Sequence, residues 1–216
     1  MTRLWGPRPG VGQMVNGSVV FGEVIQITGV GGDVTISRDR PPYRVVPADN
    51  APVPVSTARA LSQPSRLLLA RHRVVPFTGR DRTLDELAAW MAGDVPVAAL
   101  LVHGAGGQGK TRLAGEVTTQ CAAAGWAVWQ VAHTPTPVAG IAPVSRVPLL
   151  AGAVLAVVDY ADRWPLSALL ALLTQLRDLH TRAGTRVRVL MLARSDGYWW
   201  PALADRACHV FCVSRE

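Results

Sequence analysis

Residues 102–113 read Val102-His-Gly-Ala-Gly-Gly-Gln-Gly-Lys-Thr-Arg-Leu113. Gly104, four intervening residues and then Gly109-Lys110-Thr111 complete a G-x-x-x-x-G-K-[ST] pattern, a glycine-rich turn between a strand and a helix. The flanks supply that context. Upstream, Val95-Pro-Val-Ala-Ala-Leu-Leu-Val102 is a short apolar run of strand character, and downstream residues 111–124 are rich in alanine, as a helix favours.

The chemistry follows from the spacing. Gly104, Gly106, Gly107 and Gly109 let the backbone take positive φ and approach a polyphosphate closely, so that successive N–H groups converge on its oxygens. Helix N-terminal donors from Gly109 onward add to the same anion site. In such a loop Lys110 reaches the β and γ phosphates and the Thr111 hydroxyl ligates Mg²⁺. The stretch Gly104, Ala105, Gly106, Gly107, Gln108, Gly109, Lys110, Thr111 and Arg112 is therefore the expected nucleotide-binding loop. Lys110 is also the only lysine among 22 basic residues. A chain that otherwise uses arginine keeps a compact ammonium here.

Working outward, strand-like and helix-like segments alternate. Residues 126–132 read as a strand and 133–148 as a proline-rich loop. Residues 153–159 are a continuous apolar run ending in Asp159, the pattern of a strand covered on both faces. Residues 165–183 form an amphipathic helix with Leu166, Leu169, Leu170, Leu173 and Leu176 at helical spacing, stopped by Gly184. Residues 186–193 are a further strand that delivers Arg194 at its carboxyl end. The expected fold class is α/β, a three-layer P-loop NTPase fold with a mainly parallel sheet. Asp159, at a strand's carboxyl end, is the expected Mg²⁺ ligand beside Thr111. Arg194 at the next strand's end would sense the γ-phosphate. Trp199-Trp200 reads as packing, and none of the five histidines is spaced for catalysis.

Ahead of the core, residues 1–13 are Pro/Gly-rich and expected to be disordered. Residues 14–46 form a Gly-rich β segment of two or three short strands. Residues 47–64 read as a proline-stiffened linker. Residues 65–216 form the nucleotide-binding domain. It opens with a helical segment at 65–72 and a capping box at Thr83-Leu-Asp-Glu86 that starts a helix through Met91.

Composition narrows the partners. With 49% hydrophobic and 17% charged residues the chain is not generally disordered. The net charge of +7 and pI near 10.3 raise nucleic acid as a partner, but the arginines are dispersed from Arg3 to Arg215 with no aromatic-interleaved stripe, which argues against it. The longest apolar run, residues 147–158, is too short for a bilayer span. The first ten residues carry no apolar signal core. Cys121, Cys208 and Cys212, an odd number, fit a reducing cytoplasm. Cys208, His209 and Cys212 sit in a strand-like run that favours core packing over metal binding.

Several stretches together resemble one family. Val75-Pro-Phe-Thr-Gly-Arg80, Gly106-Gly-Gln-Gly-Lys-Thr-Arg-Leu-Ala114, Val157-Val-Asp-Tyr-Ala-Asp162, and Leu192-Ala-Arg194 with Trp199-Trp200 look like the STAND class of signal-transducing ATPases, relatives of NB-ARC and NACHT switch proteins. The resemblance covers residues 64–202 and is of an actinobacterial type, where a short Gly-rich segment precedes such ATPases. It implies an ATP/ADP-dependent signalling switch using Mg²⁺, with a homo-oligomer or an effector protein as partner. By that resemblance Phe77, Gly79 and Arg80 lie near adenine and ribose, Lys110 and Thr111 bind phosphate and Mg²⁺, Asp159 holds Mg²⁺, and Arg194 reports the γ-phosphate.

Two departures shape the expectation. Tyr160 stands where these ATPases carry a second acidic residue that orients the attacking water, and the next carboxylate is Asp162. Asp162 serves in its place, or hydrolysis is slow or absent. After Arg194 only 22 residues remain, too few for the helical and winged-helix parts that close over nucleotide. That implies a truncated product, a fragment, or a subunit completed in trans. Two other classes stay open: a non-enzymatic oligomerising protein with a vestigial site, and a P-loop kinase using Asp159-x-x-Asp162 toward its acceptor.

Overall fold

The computed structural model describes residues 14–15, 18–19, 41–48, 53–134, 152–208 and 212–215. The chain divides into two compact units, Met1–Ser37 and Arg38–Glu216. In the first, β1 (Met14–Val15) and β2 (Ser18–Val19) pair antiparallel with Met14 opposite Val19. The further strands expected up to residue 37 and the loop at 135–148 lie outside the described residues.

In the second unit, apolar runs bounded by turns make a six-stranded sheet. Its strands are β3 (Tyr43–Pro47), β4 (Val97–His103), β5 (Ala127–His133), β6 (Ala153–Val158), β7 (Arg186–Ala193) and β8 (Cys212–Arg215). The spatial order is β3-β5-β6-β7-β4-β8, all parallel except β3, which runs antiparallel to β5 along one edge. Leu190 of β7 thus sits between Leu100 of β4 and Val157 of β6.

Alternation along each strand separates two cores. Leu100, Val102, Leu155, Val157, Leu190 and Leu192 pack against α2 (Asp81–Ala92) and α3 (Lys110–Ala123). Leu101, Val154, Ala156, Val187, Val189 and Met191 pack against α4 (Leu166–Ala183) and α5 (Trp199–Ala207). The result is a three-layer α/β arrangement with a mostly parallel sheet. Because β4 leads into α3 on one face while its neighbour β7 leads into α5 on the other, their connections diverge. A crevice opens at the carboxyl ends between them, where such sheets place ligands.

Several details differ from the sequence reading. Residues 41–47, split there between the Gly-rich segment and the linker, supply edge strand β3 of the main sheet, and α1 (Thr57–Ser62) forms inside the expected linker. Tyr43 is buried against Trp164, and its hydroxyl donates to Gln175 Oε1 at 2.6 Å, which fixes this strand despite its flanking prolines. The segment expected as one helix at 65–72 is two short 3-10 turns, Pro64–Leu68 and Ala70–His72, separated by extended Leu69 and closed by left-handed Arg73 (φ 48°). Helix α2 begins at Asp81, before Thr83, with the Leu84 N–H donating to the Arg80 carbonyl. Glu86 is paired with Arg82 at 2.9 Å, so it does not close a box with Thr83. Gly184 ends α4 as expected, in the left-handed region (φ 65°).

Arg188 of β7 is fully buried. Its guanidinium donates to the carbonyls of Trp90 (3.1 Å), Gly93 (2.6 Å) and Val95 (2.7 Å), at the C-terminal end of α2. A fixed cation there meets the negative end of the helix dipole and satisfies carbonyls that the helix leaves open. Among the described residues no helix is long and apolar enough to cross a membrane.

Candidate functional site

The loop between β4 and α3 holds its shape through its glycines. Gly107 (φ 81°) and Gly109 (φ 78°) are left-handed. Gly104 has φ 152°, a conformation that side-chain-bearing residues rarely adopt, and an added Cβ would also displace the end of the Gln108 side chain. Gly109 caps α3, and the Leu113 N–H donates back to its carbonyl at 2.8 Å. The Lys110 ammonium donates to the Gly104 and Ala105 carbonyls (2.5 and 2.9 Å), which holds it across its own loop.

Asp159 follows β6 and meets the start of α3. Its Oδ2 accepts the Thr111 hydroxyl at 2.9 Å and its Oδ1 accepts the Tyr160 N–H at 2.8 Å. Tyr160 adopts the left-handed region (φ 55°), which a non-glycine residue enters only at a cost. That turn lets one carboxylate serve both contacts.

The opposite wall is a strap, residues 73–80, tied down by three arginines. Arg73 donates to Thr119 Oγ1 (2.8 Å) and the Gly115 carbonyl (2.9 Å) of α3. Arg112 donates to the Val75 carbonyl at 2.8 Å, and Arg80 to the Gln108 carbonyl. Between loop and strap lies a cleft of about 540 Å³, within the size range of small-molecule sites. Phe77, Thr78 and the apolar Leu67, Leu69, Val74 and Val75 line the strap side. Gly106, Gly107, Gly109, Lys110, Thr111, Asp159 and Arg194 line the loop side.

The electrostatics are one-sided. Among the described residues, five cationic residues line the cleft (Arg73, Arg80, Lys110, Arg112, Arg194) against a single carboxylate, Asp159. The hydrogen bonds given above for Arg73, Arg80, Lys110 and Arg112 all end on carbonyl or hydroxyl oxygens, and among the described residues none of the four forms an ion pair with an acid. A cleft of this kind attracts an anion of several charges. Thr111 and Asp159 add two hard oxygen donors side by side at the loop's mouth, the donor type a Mg²⁺ ion requires.

Of the residues singled out in the sequence, Phe77, Arg80, Gly106, Gly107, Gly109, Lys110, Thr111, Arg112, Asp159 and Arg194 come together around this cleft. Gly79 (φ 79°) shapes the strap, and Gly104, Ala105 and Gln108 shape the loop from behind, through a carbonyl or side-chain contact, without lining the cleft. Asp162 does not line it. Its Oδ2 accepts the Arg194 backbone N–H at 3.3 Å, and its Oδ1 is buried with no hydrogen-bond partner. The sequence reading overlooked Arg73 and the apolar stretch at 67–76, whose only local signal is their position ahead of Phe77. Tyr160 lines the cleft as well.

Compared with protein-family models and with curated proteins, the chain matches none. Among the described residues no group of three or more His, Cys, Asp or Glu side chains forms a metal site. His209 lies outside those residues, and the exposed Cys208 thiol donates to the Asp205 carbonyl at 2.9 Å.

Proposed function

We propose that this chain is an ATP-binding switch module of the STAND P-loop type, acting in cytoplasmic signalling, with slow or absent ATP hydrolysis. The observation that carries the reading is the juxtaposition of the Lys110 loop and the Thr111–Asp159 pair in a cleft with five cations and one carboxylate. Loop N–H groups and Lys110 would hold the β and γ phosphates, Arg194 would meet the γ-phosphate, and the apolar strap with Phe77 would pack against the base. Thr111 and Asp159 would hold Mg²⁺, which neutralises phosphate charge and orients the polyphosphate. Adenine over guanine rests on the family resemblance.

Slow turnover follows from the acid inventory. Asp159, committed to Thr111 and the Tyr160 N–H, is the only carboxylate lining the cleft among the described residues. A water there has no free carboxylate to orient it. Such a module signals by nucleotide state, with a second copy or an effector protein as its partner.

Titration of the full chain with fluorescent ATP and ADP tests this, with and without Mg²⁺. Binding in the micromolar range is expected, about 8 kcal/mol, and Asp159→Asn should lose most of the Mg²⁺ dependence. Absence of binding by the native chain, or binding indifferent to Mg²⁺, would overturn the reading.

A further inference from the structure

Asp162 has no part in the contacts that form the cleft, yet it is held in an unfavourable setting. It lies in the 3-10 turn Ala161–Arg163, which fully buried Ala161 anchors just after Asp159. The left-handed turn at Tyr160 redirects the chain after β6 toward the end of β7, its sheet neighbour. There Asp162 Oδ2 accepts the Arg194 N–H at 3.3 Å, while Oδ1 is shut from solvent with no hydrogen-bond partner. Asp162 is partly buried, and a carboxylate oxygen shut from solvent without a partner carries a desolvation cost that packing alone does not call for.

We propose that Asp162 is a positioning residue for Arg194, fixing the backbone of a cation that lines the cleft; this rests on the nucleotide reading above. Asp159 and Arg194 line the cleft from the ends of two adjacent strands, and Asp162 is the side chain that ties one strand end to the other. Asp162 therefore acts through Arg194 on the γ-phosphate and has no role toward the parts of a nucleotide that ATP and ADP share.

The test compares affinities for Mg-ATP and Mg-ADP in the full chain, alongside thermal melts. The variants are Arg194→Ala, Asp162→Ala, Asp162→Leu, Asp162→Asn and the Asp162→Ala/Arg194→Ala pair. Asp162→Leu fills the partly buried position without an acceptor, and it answers the question should the alanine variant fail to fold. The expected result is a native preference for ATP that falls about tenfold in Arg194→Ala, Asp162→Ala and Asp162→Leu alike, with ADP affinity unchanged. Asp162→Asn, which keeps an oxygen for the Arg194 N–H, should restore the preference, and the double variant should lose no more than Arg194→Ala. Equal weakening of ATP and ADP in the Asp162 variants would reduce Asp162 to a structural role and overturn the proposal. So would an ATP preference that survives in Asp162→Leu but not in Arg194→Ala. A native chain that binds neither nucleotide overturns the nucleotide reading itself.

Discussion

The two faces of the sheet are covered by different means. On the α4/α5 face the contacts are almost wholly apolar: Leu169, Leu172, Leu173, Leu176 and Leu203 are all buried to within about 1% of full burial. On the α2/α3 face the helices also bury apolar residues, Leu87, Met91, Leu113, Ala114, Val117 and Cys121, and arginine-to-carbonyl hydrogen bonds are added to that packing. Arg188 holds the end of α2, while Arg73, Arg112 and Arg80 hold the strap over the loop. Apolar burial is non-directional and gives a rigid slab. Directional bonds from long side chains instead leave an open cleft with positive charge facing into it. One face stabilises the sheet, and the other uses that stability to carry a site.

The largest expected effect breaks the first face. Leu172→Ala should cost about 3 kcal/mol, roughly 10 °C in melting temperature, while the folded fraction keeps its nucleotide affinity. Calorimetry beside titration checks both halves. Next, Arg188→Met removes the donors for the Trp90, Gly93 and Val95 carbonyls and should cost about 2–3 kcal/mol in urea unfolding. A neutral outcome would mean that the polar clamp contributes nothing to this face.

These contrasts also show what the sequence made legible. The apolar run ending at Asp159, the leucine spacing of α4, its stop at Gly184, and the strand reaching Arg194 were readable because local period and burial agree there. The loop was readable because backbone geometry demands Gly104, Gly107 and Gly109; Gly106, expected to share their positive φ, does not adopt it. Strand β3 was not, since Tyr-Arg-Val-Val-Pro among prolines becomes a strand only once β5 offers an edge. The buried role of Arg188 was not, because its acceptors lie about a hundred residues away in sequence. The same holds for Arg73 and for Asp162. Their partners sit on other elements, and local pattern carries no record of the spatial order that places β7 between β4 and β6.

Smaller effects sharpen the comparison on the cleft side. Arg73→Ala frees the strap from α3 and should weaken nucleotide binding about tenfold, about 1.4 kcal/mol, with a stability loss below that figure. A melt and a titration on the same preparation separate the two. The smallest effect concerns Cys121, whose thiol is pushed up from its ordinary 9.0 to about 11 by burial on the inner face of α3. The folded chain keeps that proton more tightly than the unfolded one. Its contribution is therefore intact below pH 9 and is lost as pH rises toward 11. Cys121→Ala should make the alkaline fall in stability shallower, by at most about 1.4 kcal/mol per pH unit. An unchanged slope from pH-dependent unfolding would contradict the buried thiol's role.

The most direct test of the central claim is equilibrium titration of Mg-ATP against the native chain and Lys110→Ala, with melting temperatures recorded for both. The account predicts micromolar binding that weakens at least about a hundredfold, about 2.7 kcal/mol, in Lys110→Ala at nearly unchanged melting temperature. Equal affinity in the two proteins, or no binding by the native chain, would contradict it.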